Sequence, residues 1–175
     1  MRRILLLRHA KSDWSEAGMD DHDRRLSPRG REAAPKIGTY LARHRLVPDR
    51  VLCSTARRAR ETWELVAAEL PAPPAVGYED LLYNAKSATI LDVLRDAPAG
   101  LRAVMVVGHN PGLQELATLL IASGDLDHRE RLREKFPTAG LAVIDFAVGG
   151  WSKLHPHSGR LERFVVPRML AAATD

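Results

Sequence analysis

The sequence predicts an α/β fold: a single three-layer domain over residues 1–175, with a mainly parallel, helix-flanked sheet and antiparallel C-terminal edge strands. Three observations predict it. A chain of 175 residues suits one domain with a substantial hydrophobic core. Short apolar runs alternate with segments of helical spacing as far as Ala122, which is typical of helix-covered parallel sheets. The C-terminal third has apolar runs around a Gly149-Gly150 turn instead, as antiparallel strands do.

Four short apolar runs are interpreted as the parallel strands. Each is bounded by polar residues and neighbours a segment of helical spacing, and continuous runs of this kind are typical of strands buried on both faces. The predicted strands cover residues 3–7, 51–53, 76–78 and 103–107.

Helical spacing and capping signals place four helices between and after these strands. Ser27 before Pro28 combines an N-cap with proline at the first helical position, and predicts a helix towards Arg45 with a kink or late start at Pro35. Ser54 is expected to cap the second helix. The remaining predicted helices cover residues 54–70, 87–95 and 111–122.

The C-terminal third is predicted to add antiparallel strands at one edge of the sheet. Residues 141–148, 151–154 and 161–166 have the apolar character of strands. The charged segment 124–137 precedes them and is expected to form either a mobile flap or an exposed helix.

The charge balance narrows the class of partner. A net charge of +4 and a pI near 9.6 favour an anionic partner. Nucleic acid is not expected, because the chain has no binding motif and no aromatic stacking cluster. The single cysteine excludes an intramolecular disulfide, and the apolar run 4–7 is too short for a signal-peptide core or a membrane span. The sequence therefore predicts a cytoplasmic protein that binds neither nucleic acid nor membrane.

Basic residues follow three of the predicted strands. Ligands of open α/β sheets bind beyond the carboxyl ends of the strands, so Arg8, His9, Arg57, Arg58 and His109 are expected at one edge. Such cations repel one another unless an anion compensates them. The planar guanidinium of arginine can donate two hydrogen bonds to the oxygens of a phosphoryl group, so Arg8 and Arg58 are expected to bind that group. A neutral His9 imidazole can attack phosphorus, while His109 stabilises the transition state.

Three motifs resemble those of the histidine phosphatase superfamily, which has the phosphoglycerate-mutase-like fold. Residues 8–10 (Arg-His-Ala) resemble its Arg-His-Gly motif, with alanine in the glycine position. Residues 54–62 resemble Ser-x-x-x-Arg-Ala-x-x-Thr, which assigns the phosphate-binding role to Arg58 rather than Arg57. Residues 108–110 (Gly-His-Asn) match the motif of the second histidine.

Finer features resemble the SixA-type phosphohistidine phosphatases over most of the first 140 residues. They are Arg-His-Ala-Lys-Ser-Asp-Trp at 8–14, Leu-Ser-Pro-Arg-Gly at 26–30, Leu-Tyr at 82–83, Val-Gly-His-Asn-Pro-Gly at 107–112 and Phe-Pro-Thr-Ala at 136–139. The resemblance implies a phosphohistidine intermediate on His9 that water hydrolyses, without a metal or organic cofactor. It also implies a phosphorylated protein as the partner.

The resemblance assigns roles residue by residue. The residues given a catalytic role are Arg8, His9, Arg58 and His109. The residues given a substrate-binding role are Lys11, Ser12, Arg57 and Asn110.

The sequence departs from the family pattern at the general acid. Many superfamily members have a glutamate or aspartate after the third strand, where the best alignment places Tyr83. Glu79 and Asp80 are the other candidates, although an exposed loop explains that pair equally well. Imidazole leaves phosphorus with far less help from an acid than an alcohol does. A missing acid therefore favours a substrate with an N–P bond.

Two other functions stay open. One is a phosphatase or mutase of small phosphate esters, such as sugar phosphates or nucleotides; the other is a non-catalytic phosphate-binding module. No long insertion is present to cover a small metabolite, which favours a protein substrate. Both histidines and both principal arginines are present, which disfavours a module without turnover. The sequence leaves the oligomeric state open.

Two further sites are not expected. A cysteine phosphatase has an arginine six positions after its cysteine, but here Ala59 stands six positions after Cys53. Cys53 is therefore predicted to be a buried core residue rather than a nucleophile. The acidic run 20–23 is interpreted as a solvated loop, because adjacent side chains seldom all face one ion. No metal site is expected.

Overall fold

Residues 1–170, which a computed structural model describes, form one mixed seven-stranded sheet with helices on both faces. The strands are β1 (Arg2–Arg8), β2 (Arg50–Ser54), β3 (Ala75–Glu79), β4 (Ala103–Gly108), β5 (Ile121–Gly124), β6 (Leu141–Phe146) and β7 (Gly159–Val165). The helices are α1 (Pro28–Arg43), α2 (Arg57–Ala67), α3 (Ser87–Arg95), α4 (Gly112–Leu120), α5 (Leu126–Glu134) and α6 (Pro167–Leu170). Short 3₁₀ helices cover Asp21–Asp23, Asp80–Leu82 and Trp151–Lys153.

The strand order is β3-β2-β4-β1-β6-β7-β5. Neighbours among β3, β2, β4 and β1 pair in parallel, whereas β6 is antiparallel to both β1 and β7. The last strand in the order, β5, pairs in parallel with β7. This topology confirms the predicted fold class. The predicted domain runs to residue 175, and residues 171–175 lie outside the described range.

The central strand β1 shows how the sequence builds three layers. Side chains alternate across a strand, so Leu5 and Leu7 pack with α1 and α2 while Ile4 and Leu6 pack with α3 and α4. All four side chains are fully buried. A strand with apolar residues on both faces needs helices on both faces, which is why its sequence reads as an unbroken apolar run.

The first helix confirms its predicted start. Ser27 is the N-cap of α1, and its Oγ accepts a hydrogen bond from the Gly30 amide at 3.1 Å. Pro35 lies inside α1, which continues through it to Arg43.

Three local predictions were wrong. Ser54 ends β2 and does not cap α2, whose N-cap is Ala56. Residues 151–153 form a 3₁₀ helix instead of a strand, because Trp151 is buried and donates from Nε1 to the Leu101 carbonyl oxygen at 2.9 Å. The fourth helix ends at Leu120, because the next residues pair with β7 as the strand β5.

The charged segment 124–137 contains an exposed helix, α5, which was one of its two predicted forms. Leu132 is its only buried residue among those described. Within residues 1–170, no helix has the length and apolar character that crossing a membrane requires.

Candidate active site

The segments that leave the carboxyl ends of β1, β2 and β4 surround a cavity of about 390 Å³. Its basic and imidazole lining residues are Arg8, His9, Lys11, Arg24, Arg58, His109 and Lys135. Its other lining residues are Ser12, Trp14, Asn84, Asn110, Pro137 and Thr138. None of these lining residues carries a carboxyl group. The cavity therefore has the strongly positive character of an anion site.

The sheet register brings the two histidines together. Arg8 at the end of β1 pairs with Gly108 at the end of β4, so His9 and His109 follow neighbouring strands at the same level. Their ring centroids lie 5.2 Å apart. The predicted convergence at one edge of the sheet is therefore confirmed for these two residues.

His9 is held as a neutral imidazole with a free Nε2. Its Nδ1 donates to the Ala10 carbonyl oxygen at 2.7 Å; a carbonyl oxygen only accepts, so the ring proton lies on Nδ1 and the lone pair on Nε2. Burial, with a smaller contribution from Arg58, lowers the pKa of His9 from 6.5 to about 3. At pH 7 this arrangement presents a nucleophilic nitrogen.

His109 is fixed in the opposite tautomer. Arg58 Nη2 lies 3.3 Å from Nδ1 and, as a guanidinium only donates, Nδ1 accepts. The ring proton on Nε2 is then donated to Ser54 Oγ, 2.7 Å away. Burial, and next the charge of His9, lower the pKa of His109 to about 3. Sequence reasoning did not assign this orienting role to Ser54.

Arg58 is almost fully buried beside an aspartate that sequence reasoning missed. Its Nη1 donates to the Asp21 carbonyl oxygen at 2.8 Å and its Nη2 to Asp21 Oδ2 at 3.1 Å. The Tyr83 hydroxyl also donates to Oδ2, and Arg24 donates to Oδ1 at 3.0 Å. The hydrogen bonds from Tyr83, Arg24 and Arg58 hold the pKa of Asp21 well below its usual range. Asp21 is therefore an ionised anchor for Arg58.

Arg8 lies at the end of β1 and is fixed by the segment after α5. Its Nη1 donates to the Phe136 carbonyl oxygen at 3.0 Å, and the same oxygen accepts from Asn110 Nδ2 at 2.9 Å. Burial, and next the charge of Arg58, lower the pKa of Arg8. One backbone carbonyl thus orients two side chains of the cavity.

Arg24 adds a third buried arginine to the cavity. It is 8% exposed, donates to Ser12 Oγ and lies over the Trp14 ring at 3.5 Å from the centroid. No sequence signal marks it, because it ends a polar segment without periodicity or motif. Arg8, Arg24 and Arg58 each have a buried Nε with no acceptor among residues 1–170. Within the described part of the chain, these three arginines therefore carry more positive charge than the neighbouring carboxylate of Asp21 neutralises.

Thr62 explains the spacing of the second motif. Its Oγ1 donates to the Arg58 carbonyl oxygen, one helical turn earlier, at 2.7 Å and accepts from the Ala10 amide at 2.9 Å. The hydroxyl therefore connects the start of α2 to the loop that carries His9. The four-residue spacing between Arg58 and Thr62 in the motif is what allows this connection.

The four predicted substrate-binding residues separate into two groups. Lys11, Ser12 and Asn110 line the cavity. Arg57 does not: its side chain is 42% exposed, with Nε 3.5 Å from Glu61 Oε2. The adjacent arginines point to different surroundings because residues one apart on a helix lie about 100° apart around its axis.

The candidate general acids do not line the cavity. Glu79 ends β3 and lines a different depression, beside Arg50 and Leu81. Asp80 is exposed. Tyr83 lies closest, with its ring centroid 5.6 Å from that of His109, and its hydroxyl proton is donated to Asp21. Among residues 1–170, therefore, no carboxylic acid lines the cavity, and the neighbouring Asp21 is an ionised partner of Arg58.

Within residues 1–170, one group of potential metal ligands lies outside the cavity. Asp125, Asp127 and His128 near the start of α5 have ligand atoms within 4.8 Å of one another. Both carboxylates are exposed, and Asp125 already caps α5 by accepting from the His128 amide at 3.0 Å. None of the three lines the cavity.

Comparison with known proteins gives the family. The family model for the histidine phosphatase superfamily (branch 1) matches residues 4–82. The uncharacterized protein Rv1276c of Mycobacterium tuberculosis (strain H37Rv) is 39% identical over 164 residues, which cover 93% of this chain and all of that protein. The chain belongs to the histidine phosphatase superfamily. In this superfamily member, Arg8, His9 and Arg58 lie within the matched residues, and His109 joins them through β4.

Two solved structures resemble this histidine phosphatase superfamily member over nearly its whole length. A candidate phosphohistidine phosphatase SixA from Agrobacterium tumefaciens is 34% identical, with a TM-score of 0.80, and covers 95% of this chain and 98% of its own. Its counterpart from Nakamurella multipartitia is 30% identical, with a TM-score of 0.81, and covers 95% and 96%. The resemblance to SixA proteins that the motifs predicted is thus confirmed.

Proposed function

We propose that the protein is a phosphatase that hydrolyses phosphohistidine on a protein substrate through a covalent phosphoryl-His9 intermediate. One observation carries the proposal: the cavity combines a free Nε2 on His9 with three arginines and no carboxylic acid. The similarity to two SixA proteins supports the same substrate class.

The first step transfers the phosphoryl group to His9. The lone pair of Nε2 attacks phosphorus, the new N–P bond forms, and the N–P bond of the substrate breaks. Arg8, Arg24 and Arg58 hold the non-bridging oxygens. The substrate imidazole takes a proton from water on its other ring nitrogen and departs neutral. His9 becomes an imidazolium, whose Nδ1–H is already bonded to the Ala10 carbonyl oxygen.

The second step releases phosphate. A water oxygen attacks phosphorus, the P–Nε2 bond breaks, and the electron pair returns to His9 as its lone pair. The water protons pass to the phosphate product and to solvent. A bound phosphoryl dianion favours the protonated form of His109. Arg58 Nη2 then donates to a phosphoryl oxygen instead of to His109 Nδ1, and the protonated Nδ1 donates to another oxygen while Ser54 keeps the ring oriented.

The lining of the cavity, which includes no carboxylic acid, supports a substrate with an N–P bond over a phosphate ester. An alcohol leaving group departs as an alkoxide unless an acid protonates it. Imidazole is a much better leaving group, because its conjugate acid has a pKa near 6.5. General acid catalysis is worth about 100-fold or more to an ester substrate. The cavity is therefore better suited to an N–P bond than to the C–O–P bond of a sugar phosphate or phosphoserine.

A substrate panel tests the substrate class. We expect kcat/KM for a phosphohistidine peptide to exceed that for a phosphoserine peptide, a sugar phosphate and a nucleotide by about 100-fold. A higher value for any of the esters would contradict the proposed substrate.

A trapping experiment tests the intermediate. Rapid acid-free quenching followed by mass spectrometry is expected to place phosphate on His9, and His9→Ala is expected to abolish turnover. His155→Ala is the matched control, because His155 is an exposed loop histidine outside the cavity. Turnover at the wild-type rate in His9→Ala would rule out this mechanism.

A further inference from the structure

A second, larger depression continues from the catalytic cavity. It has a volume of about 690 Å³, and its wall shares Lys11, Lys135, Pro137 and Thr138 with that of the cavity. A phosphoryl group bound at His9 therefore lies beside an open channel that leads away over α1 and the end of α5. We call this second depression the basic groove.

In the part of the chain that the structure describes, the cations of the basic groove have few acidic partners. Its lining includes the cations Lys11, Arg29, Arg131, Lys135 and Arg168, against the single acid Glu134. Among residues 1–170, only Arg131 of these cations has a carboxylate within salt-bridge range, and that contact with Asp127 is long at 3.9 Å. Unpaired cations around one depression attract an anionic partner and raise its rate of association.

The basic groove also has an apolar part, here called its floor. Phe164 of β7 lines it, together with Val166 and Pro167 after that strand. The Arg131 guanidinium lies 5.6 Å from the centroid of the Phe164 ring. A floor of this kind suits an apolar side chain flanked by acidic ones.

The distribution of the cations over several segments around the basic groove argues for a polypeptide. The cations come from four separate parts of the chain: the loop after β1 (Lys11), α1 (Arg29), α5 and its end (Arg131, Lys135), and α6 (Arg168). One small metabolite presents its anionic groups close together, whereas an extended protein segment spaces its carboxylates along several residues. The basic groove matches the second pattern.

We propose that the basic groove binds an acidic segment of the substrate protein next to its phosphorylated residue, and so selects which phosphoproteins are hydrolysed. The proposal rests on the proposed phosphatase function and names the sequence context that the site recognises. Electrostatic selection of this kind acts mainly by raising the rate of association, and the effect weakens with added salt.

Four peptides and one small substrate test the proposal. Phosphohistidine and phosphoserine are each placed between acidic residues or between neutral ones, and phosphoramidate serves as the small substrate. We expect kcat/KM for the acidic phosphohistidine peptide to exceed that for the neutral one by about tenfold at low salt, and the difference to shrink at 0.5 M salt, roughly as the screening length shortens.

Charge-reversal variants test whether the preference for acidic flanks comes from the basic groove. The double variant Arg29→Glu with Arg168→Glu is expected to remove the preference for acidic flanks and to leave the rate on phosphoramidate within about twofold of wild type. Neither residue lines the catalytic cavity. The matched control is Arg102→Glu with Lys153→Glu, which makes the same change in charge at exposed positions near the opposite ends of the strands. The control is expected to keep the preference.

The outcomes separate the two proposals. Equal rates on acidic and neutral flanks, or equal loss of the preference in both double variants, would overturn the role of the basic groove while leaving the phosphohistidine assignment intact. Faster turnover of the phosphoserine peptides with the flank preference retained would overturn the proposed substrate but support the basic groove. Turnover of small phosphates alone, with none of the four peptides hydrolysed, would overturn both.

Discussion

Arg57 and Arg58 are adjacent in the sequence, but their side chains have different surroundings. That of Arg58 is 4% exposed and reaches His109 and Asp21, whereas that of Arg57 is 42% exposed beside Glu61. We expect Arg58→Ala to lower kcat/KM by about 1000-fold, the scale of losing a transition-state donor, and Arg57→Ala by no more than about twofold. Steady-state kinetics on the phosphohistidine peptide measure both.

A conservative variant distinguishes a loss of activity from a loss of folding. Arg58→Lys keeps a positive charge beside Asp21 but loses the planar fork, so it is expected to fold and still to lose most of its activity. A larger loss for Arg57→Ala than for Arg58→Ala would show that the motif assigns the wrong arginine.

The sequence predicted the residues that belong to motifs and missed those that fold over them. His9 and His109 follow strand ends, so position along the chain was enough to place them, whereas the motif was needed to choose Arg58 over Arg57. Asp21 and Arg24 lie in a polar segment without periodicity, and only contacts with distant residues bring Asp21 to Arg58 and Arg24 to the cavity. No local pattern of the sequence encodes such contacts.

At the scale of elements, the loop that carries His9 depends on its close contact with α1. A Cβ at Gly30 would lie 2.1 Å from the Lys11 carbonyl oxygen, which also accepts from the Ser27 amide at 2.9 Å. Gly30→Ala must therefore separate the helix from the loop. We expect a loss of stability of about 1–3 kcal/mol and a lower kcat on the phosphohistidine peptide, because His9 is displaced.

Thermal unfolding and steady-state kinetics measure these two effects. The control is Gly100→Ala, since a Cβ at Gly100 would meet nothing within 4 Å and its backbone is not in the left-handed region. An unchanged melting temperature for Gly30→Ala would contradict the close packing described for α1.

The elements that the sequence misjudged depend on tertiary partners. The four residues of β5 are too few to show periodicity, and they form a strand because β7 offers a free edge. Residues 151–153 have apolar character like a strand, but burial of Trp151 against Leu101 winds them into a 3₁₀ helix. By contrast, the long apolar runs of β1 and β4 were predicted correctly, because burial on both faces leaves a strong signal.

For the whole molecule, the two buried neutral histidines make stability depend on pH. The pKa of His9 and that of His109 are about 3 in the folded protein, against 6.5 for an unperturbed histidine. Between these values the unfolded chain binds protons that the folded protein does not. The free energy of unfolding is therefore expected to fall as the pH drops from 6.5 towards 3, by at most about 1.4 kcal/mol per pH unit for each histidine.

Urea unfolding at pH 7, 6 and 5 measures this slope. His9→Gln removes one of the two titrating groups and is expected to make the decline shallower. A decline as steep in the variant as in wild type would mean that His9 is not held in the neutral form.

The unpartnered Nε groups of Arg8, Arg24 and Arg58 have a consequence for the end of the catalytic cycle. The charge that attracts a phosphoryl group also holds the inorganic phosphate that hydrolysis leaves behind. Phosphate should therefore act as a competitive product inhibitor, which raises the apparent KM for the phosphorylated substrate when the surroundings are rich in phosphate and leaves kcat unchanged.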